Sequence, residues 1–278
     1  MPQITAAAVK ALRDRTGLPM MDCKKALQEA DGDEEAAIEL LRKAGAKVAQ
    51  KRAGKETSEG RIAIHASLDP GVGAIVELLC ESAPVAASDS FTQLADDLAR
   101  QLATGPGAAT PEELLGQASP SQAPKTLQQQ FDELVNQIRE AFRLRRIARF
   151  DAPCGGYVHH DGGTGVLVQV EGGDAELAKD VSMHIAAMRP TVVCKDDLDP
   201  EAVTKEREIL SEQARAEGKP EKIIEKMVEG RLREYYAQQC LLDQPYVKGE
   251  GKKDTVAKVT KAAGMKVIRF VRWEVGKE

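Results

Sequence analysis

Residues 61–80 read RIAIHASLDPGVGAIVELLC, and their period decides the fold class. Ile62, Ile64, Ala66 and Leu68 alternate with more polar positions, as in a half-buried strand. Asp69-Pro70-Gly71 then supplies turn residues, and GAIVELLC, 73–80, returns as a strongly apolar strand. Beyond it the period lengthens: Phe91, Leu94, Ala95, Leu98, Ala99 and Leu102 fall in helical register. The same order comes back downstream. Tyr157-Val158-His159 leads through Asp161-Gly162-Gly163 into TGVLVQVEG, 164–172, and then a helix carries Leu177, Val181, His184, Ile185 and Met188 before Arg189-Pro190 ends it. Two hairpin-plus-helix units of this kind, each with one face of sheet covered by a helix, predict an α+β core with an internal duplication.

Outward from that core, residues 3–48 predict three short helices. Thr5 caps the first, which carries Val9 and Leu12 and stops at Gly17. A second places Cys23, Ala26, Leu27 and Ala30 on one side. Asp33 caps a third, with Ala37, Leu40, Leu41 and Ala44 inward and Gly45 placed to stop it. None of the three is long enough to be stable alone, so they must share a core. The polar stretch KRAGKETSE, 51–59, reads as a linker. Between the two units, GPGAATPEE and QASPSQAPKT make 103–129 a mobile connector by composition. A helix at 130–142 follows, through Leu134, Ile138 and Phe142, and then a strand RIARFD, 146–151, entering the second half. Residues 201–242 predict an antiparallel helical hairpin about EGKP, 217–220, with Val203, Ile209, Leu210 and Ala214 on one arm and Ile223, Ile224, Met227, Val228 and Leu232 on the other. A last strand, KVIRFVRWEV at 266–275, puts Val267, Val271, Trp273 and Val275 on one face. The expected division is 1–54, 55–148 and 149–278, with the hairpin 201–242 inside the third part.

Composition narrows the function. The 278 residues are 42% apolar and 30% charged, a globular balance. Lys and Arg number 39 against 44 Asp and Glu, a formal net charge of −5, which argues against a surface built broadly for phosphate backbones. No basic-then-apolar leader pattern and no run of about 18 apolar residues is present, so a cytoplasmic chain without a membrane span is expected. Five widely spaced cysteines with no CxxC fit reduced, mostly buried thiols better than a zinc site or a disulfide framework.

The search for chemistry ends without a catalytic constellation. Neither G-x-x-x-x-G-K-[ST] nor G-x-G-x-x-G occurs, so no direct nucleotide binding through those cradles is expected. The Gly-rich pieces at 70–73 and 161–165 sit in hairpin turns, whose dihedrals explain them. His65 reads as solvated. His159 and His160 point to opposite faces if both lie in a strand, which opposes a shared metal ion. His184 sits among apolar neighbours as a hydrogen-bonded core residue. Cys23, near a helix start beside Lys24 and Lys25, shares the face of Ala26 and Leu27 and reads as packing. No cofactor, metal or catalytic residue is therefore expected. Display is the stronger signal. Leu18-Pro19-Met20-Met21 forms an apolar run where two helices join, and methionine suits adaptable protein contacts, with one of the pair expected to fold inward. Ser82–Ala87, a small and apolar loop that follows the strand ending at Cys80, is a second candidate surface.

These stretches carry a resemblance. TGLPMMDCKKAL, 16–27, followed by EADGDEEAAIELLRKAG, 29–45, resembles the N-terminal module of the bacterial elongation factor Ts family. The likeness continues through 73–80, 157–168 and MHIAA, 183–187. It resumes in GKPEKIIEKMVEGRL, 218–232, LLDQPYV, 241–247, and VIRFVRWEVG, 267–276. The resemblance implies an α+β fold with a small three-helix, ubiquitin-associated-like module, a two-part core and a projecting antiparallel coiled coil at 201–242. It implies a partner, elongation factor Tu, bound in its GDP and nucleotide-free forms, whose GDP release the factor speeds without being an enzyme. It also implies partner-binding roles for Met20 and Met21, for the intruding turn at Ser82, Ala83, Pro84 and Val85, and for His159.

That turn departs from the family pattern. Where members usually read threonine, aspartate, phenylalanine, valine, this chain reads Ser82-Ala83-Pro84-Val85, with no carboxylate and no ring to wedge between helices. Pro84 still restricts its own torsion and that of the residue before it, which favours a rigid turn. Two rival readings follow: a binding scaffold or chaperone for the same GTPase with weak exchange, and a nucleic-acid-associated protein relying on Arg143-Leu144-Arg145-Arg146. The latter would depend strongly on salt. No specific nucleic acid and no membrane partner is expected.

Overall fold

A computed structural model describes residues 4–52, 54–218, 220–249, 251 and 254–277. Residue 53 of the expected linker and residue 219 of the expected hairpin turn lie outside the described residues. Helices α1 (Ala6–Thr16), α2 (Met20–Glu29) and α3 (Glu34–Arg52) come first. The Thr5 hydroxyl accepts from the Ala8 N–H at 3.2 Å, and Gly17 closes α1 at φ 68°, a left-handed cap that glycine adopts without Cβ strain. Asp33 accepts from the Glu35 and Ala36 N–H groups and so starts α3. Val9, Leu12, Leu18, Cys23, Ala26, Leu27, Ala37 and Leu41 share one buried cluster.

The remainder is built as two sheets. Strands β1 (Glu59–Ser67) and β2 (Val72–Cys80) form a hairpin, followed by α4 (Ala83–Ala86), α5 (Asp89–Thr104), α6 (Pro111–Leu115), α7 (Leu127–Ile138) and β3 (Arg143–Phe150). Next come β4 (Cys154–Val158), β5 (Thr164–Glu171) and α8 (Ala175–Met188). The helical pair α9 (Pro200–Ala216) and α10 (Glu221–Gln239) follows, then α11 (Val256–Ala262) and β6 (Lys266–Glu274). Both sheets are antiparallel and three-stranded, in the orders β1-β2-β3 and β4-β5-β6. In each, the second strand of a hairpin lies at the centre and the third strand returns after the helices.

Strand β2 is buried along its whole length because both of its faces are covered. Ala74, Val76, Leu78 and Cys80 meet Phe91, Leu94, Leu98 and Leu102 of α5, each of these four completely buried. Each such side chain contributes about 1.5–3 kcal/mol of burial. The opposite face, with Ile62 and Ile75, packs on Cys154 and Leu167 of the second sheet. That sheet turns Val166, Val168 and Val170 toward Val181 and Ile185 of α8. The layers therefore run helix, sheet, sheet, helix. Two glycines let the sheets approach: a Cβ on Gly73 would lie 2.7 Å from Cys154 Cβ and Leu167 Cδ1, and one on Gly165 would lie 2.4 Å from Ile62 Cγ2.

Several expectations need correction. Gly45 does not stop the third helix, which runs on to Arg52. Gly45 is a point of close approach, since a Cβ there would sit 2.3 Å from the Asn136 side chain of α7. The helix before β3 ends at Ile138, with Arg139 in a left-handed cap at φ 65°, so Phe142 is not helical. It packs edge-on against Phe91 and Phe131 instead. The connector 103–129 carries α6 with Leu114 fully buried, and Ser119 and Gln130 hydrogen-bond in the interior. Strand β3 pairs with β2 and completes the first sheet through Phe150, so it does not enter the second half. A register shift at Gln169/Val170 breaks the expected alternation of β6: Val267 joins the α8 cluster, while Val271, Trp273 and Val275 face the first sheet. In the helical pair, Leu210, Ala214, Ile224, Val228 and Leu232 are buried together, whereas Ile209 and Ile223 face outward. Met188 is also exposed at the end of α8.

Candidate partner interface

Met20 and Met21 open α2, and both point outward, 48% and 64% exposed. The expectation that one would fold inward fails because the face of α2 toward its neighbours is filled by Cys23, Ala26 and Leu27. The Cys23 thiol is enclosed, donating weakly to the Leu18 carbonyl at 3.7 Å. Asp22, the next residue, pairs with Arg139, and the Gln137 amide donates to the Thr16 carbonyl at 3.0 Å. The methionine face is thereby tied to the end of α7.

The Ser82–Ala87 segment is a one-turn helix, α4, with Pro84 in its first turn, not a loop. Ala83 and Pro84 are exposed, while Val85 is half-buried against the α5 cluster. Every polar atom of Ser82 is engaged. Its N–H and hydroxyl donate to the two carboxylate oxygens of Glu140, at 3.1 and 2.6 Å. Its carbonyl accepts from the Cys80 thiol at 3.3 Å and the Ala86 N–H at 3.1 Å. Glu81 answers in kind: one of its oxygens accepts from the Ala141 N–H at 2.6 Å, and Arg52 donates to both, at 3.0 and 2.9 Å. The Ala141 N–H, seconded by the Arg52 guanidinium, holds the Glu81 carboxyl below its ordinary pKa. Burial pushes the Cys80 thiol up to about 11, which leaves it inert near neutrality.

His159 lies just past the end of β4, in the turn rather than in the strand. That is why the expected opposition of His159 and His160 is not seen: their rings meet edge-on, with centroids 4.3 Å apart. The Tyr157 hydroxyl sits 3.0 Å from His159 Nδ1. Tyr157 and His159, together with Thr164, Met183, Ala187 and Arg189, line a shallow cleft of about 340 Å³. Thus the methionine face and the α4 turn both converge on the consecutive residues Arg139 and Glu140. His159 stands on the second sheet, and among the described residues no hydrogen bond links it to the other two sites.

The other groups of interest are occupied structurally. His184 is fully buried; its Nδ1 accepts from the Val247 N–H at 3.2 Å, so Nε2 carries the proton donated to Gln244 Oε1 at 2.9 Å. His65 is half-buried rather than solvated, and burial, with Arg100 nearby, lowers its pKa. Arg145 and Arg146 form no open basic patch, because both pair with the buried Glu77 carboxylate at 3.3 and 2.5 Å. All five cysteines are free thiols and all but Cys194 are buried. Among the described residues no cluster of three His, Cys, Asp or Glu side chains could hold a metal ion, and no helix is long and apolar enough to cross a membrane. Glu81, Arg139 and Glu140 escaped the sequence reading. Glu140 is 58 residues from Ser82, and no local spacing signals such a contact.

The family described as Elongation factor TS matches residues 81–277. Similarity to individual relatives extends over nearly the whole chain. It is 44% identical over 276 residues to Elongation factor Ts of Thioalkalivibrio sulfidiphilus, covering 98% of this chain and 92% of that one. With Elongation factor Ts of Methylococcus capsulatus the identity is 46% over 275 residues, with the same coverage. With that of Chlorobium phaeobacteroides it is 38% over 287 residues, covering 99% of this chain and all of the relative. With such identity sustained through the helical N-terminus, both sheets and the helical pair, the chain belongs to the elongation factor Ts family.

Proposed function

We propose that this chain is a guanine-nucleotide exchange factor for elongation factor Tu, acting in the cytoplasm during translation elongation. It is a translation factor, not an enzyme. It binds the GTPase in its GDP-bound and nucleotide-free forms and shifts it toward a conformation that holds GDP weakly. Because factor and GDP favour different conformations of one protein, each lowers the affinity of the other by the same factor, and a coupling of about 3 kcal/mol gives roughly 150-fold. The observation that carries this reading is the family membership, sustained over 98% of the chain. The outward Met20, Met21, Ala83 and Pro84 on a hydrogen-bonded support give it a physical form.

In this reading the three N-terminal helices, to residue 54, are a ubiquitin-associated-like module that grips the nucleotide domain. The first half of the core presents the α4 turn, and the second half presents His159. The expected division between 148 and 149 cuts β3, which runs to Phe150, so in this reading the first half extends through Phe150. The α9–α10 pair is a projecting coiled-coil arm. Stopped-flow release of a fluorescent GDP analogue from elongation factor Tu tests the proposal: saturating factor accelerates release. The double variant Met20→Ala/Met21→Ala needs about tenfold more factor for half-maximal effect, with the maximal rate kept. A second reading, a binding scaffold with weak exchange, is favoured by the absence of a carboxylate and an aromatic ring at Ala83 and Pro84. Stable binding with unaccelerated release decides for it.

A further inference from the structure

The α4 turn lacks side chains able to wedge, so whatever it does to a partner it does by shape and placement. Its placement is set from two sides by a reciprocal pair of carboxylates. Glu140 accepts from the Ser82 backbone N–H and hydroxyl, and Glu81, beside Ser82, accepts from the backbone N–H of Ala141, beside Glu140. The Ser82 hydroxyl is consequently not available to cap α4, and it makes no capping bond there. Arg52, at the end of α3, closes the Glu81 side. The residue before Glu140 takes a left-handed conformation at φ 65° with a side chain that is not glycine, a local cost that persists only where the surroundings fix it. That same residue, Arg139, pairs with Asp22 next to the two outward methionines.

We propose that Glu140 is a positioning residue for nucleotide exchange: by clasping Ser82 it fixes the angle at which Ala83 and Pro84 enter the partner, replacing with rigidity the wedge that their side chains cannot supply. The inference rests on the exchange reading above and assigns the regulation of turn geometry to a residue that does not itself touch the partner. Binding strength comes from the methionine face and the His159 side, so loosening the clasp lowers the maximal rate and spares affinity.

Glu140→Gln tests this, because a carboxamide accepts with one oxygen and turns an N–H₂ group toward the other donor. The maximal rate of GDP release at saturating factor falls about tenfold, as expected for a misplaced contact group, while the Kd for nucleotide-free elongation factor Tu stays within about twofold. In the free chain, amide exchange at Ser82, Ala86 and Ala87 becomes faster. Ser82→Ala, which deletes only the hydroxyl bond and is the milder change should Glu140→Gln fold poorly, lowers the rate by a smaller factor. Glu133→Gln removes a charge from α7 at the half-buried Lys125 pair, away from Ser82, and leaves the rate unchanged. A native maximal rate in Glu140→Gln, or equal losses of rate and affinity, overturns the positioning role. If the unmodified chain itself does not accelerate GDP release, the exchange reading falls and takes this role with it. Unchanged amide protection in Glu140→Gln would, separately, sink the clasp in the free protein.

Discussion

The centre of the first sheet and the centre of the second meet their third strands in the same pattern, and differ in how deeply one residue is buried. In the first, Glu77 faces Arg146 and the register shifts immediately after it; in the second, Gln169 faces Arg269 and the register shifts at the same point. Each arginine donates to its partner, at 2.5 and 2.8 Å, and each lies over an aromatic ring of the opposite sheet: Arg146 over Trp273, Arg269 over Phe150. Glycines match too, Gly73 and Gly165 being paired with Phe150 and Trp273. The difference is burial. Glu77 is fully enclosed and also accepts from the Gly276 N–H at 2.8 Å, so the C-terminal strand is fastened to the first sheet by a charged group. Gln169 is neutral and half-exposed. One scaffold thus serves twice, with ionic fastening where the chain must be held to a distant segment and a neutral amide where it need not be.

The sharpest way to break this comparison is Glu77→Ala. It removes a buried carboxylate that two guanidinium groups and one N–H share, leaving the arginines to the Glu274 and Lys277 carbonyls. The cost is about 3 kcal/mol in urea unfolding, against about 0.5–1 kcal/mol for Gln169→Ala. Equal costs would mean that burial is not what separates the two sites. Next in size, Gly73→Val and Gly165→Val each force the sheets apart and cost about 2–3 kcal/mol by the same measurement. Here the two halves should agree, and a large inequality would show that the intersheet contact is not shared evenly.

Acid sensitivity distinguishes the halves more finely. His184 is neutral in the fold because burial lowers its pKa, so the stability it carries is complete above the unfolded value, about 6.5, and is lost as pH falls below it. The slope is at most about 1.4 kcal/mol per pH unit, and His184→Gln removes it from the pH profile of urea midpoints. Glu274 acts in a lower window. Lys277 and then Arg272 hold its pKa down to about 2, so its contribution is present above the ordinary value of 4.5 and disappears between there and about 2. Its counterpart in the first sheet, Asp151, pairs with Arg149 at 2.7 Å but is largely exposed, so Asp151→Ala costs the least of all, about 0.5 kcal/mol or less in urea unfolding at neutral pH.

Much of this was legible in residue order. The alternation of Ile62, Ile64 and Ala66, the helical spacing from Phe91 to Leu102 and the caps at Thr5, Gly17 and Asp33 all depend on neighbours within a few positions, and each appears where its period puts it. A further repeat was present but unread: Arg146-Ile147-Ala148-Arg149-Phe150 and Arg269-Phe270-Val271-Arg272-Trp273 share an Arg-apolar-apolar-Arg-aromatic pattern at matching register. Of the candidate interface, the outward methionines and the turn after Cys80 could be named from local chemistry, because an apolar run at a helix junction is itself a local signal. Their support could not, since Ser82 is held by Glu140, 58 positions away, and Glu81 by Ala141, 60 positions away.

By itself, then, the sequence determined the period of β1, β2, α5 and α8, the caps of the N-terminal helices, the duplicated order of hairpin and helix, and the family. Periodicity and capping are short-range properties, and no tertiary contact is needed to express them. Only the tertiary structure decided that β3 closes the first sheet, that one extra residue turns the two ends of β6 to opposite faces, and that Gly45 lies under Asn136 rather than ending a helix. Each of those outcomes depends on what approaches from a distant part of the chain, where a single Cβ, one bulge or one carboxylate chooses between arrangements that local preference leaves nearly equal in free energy.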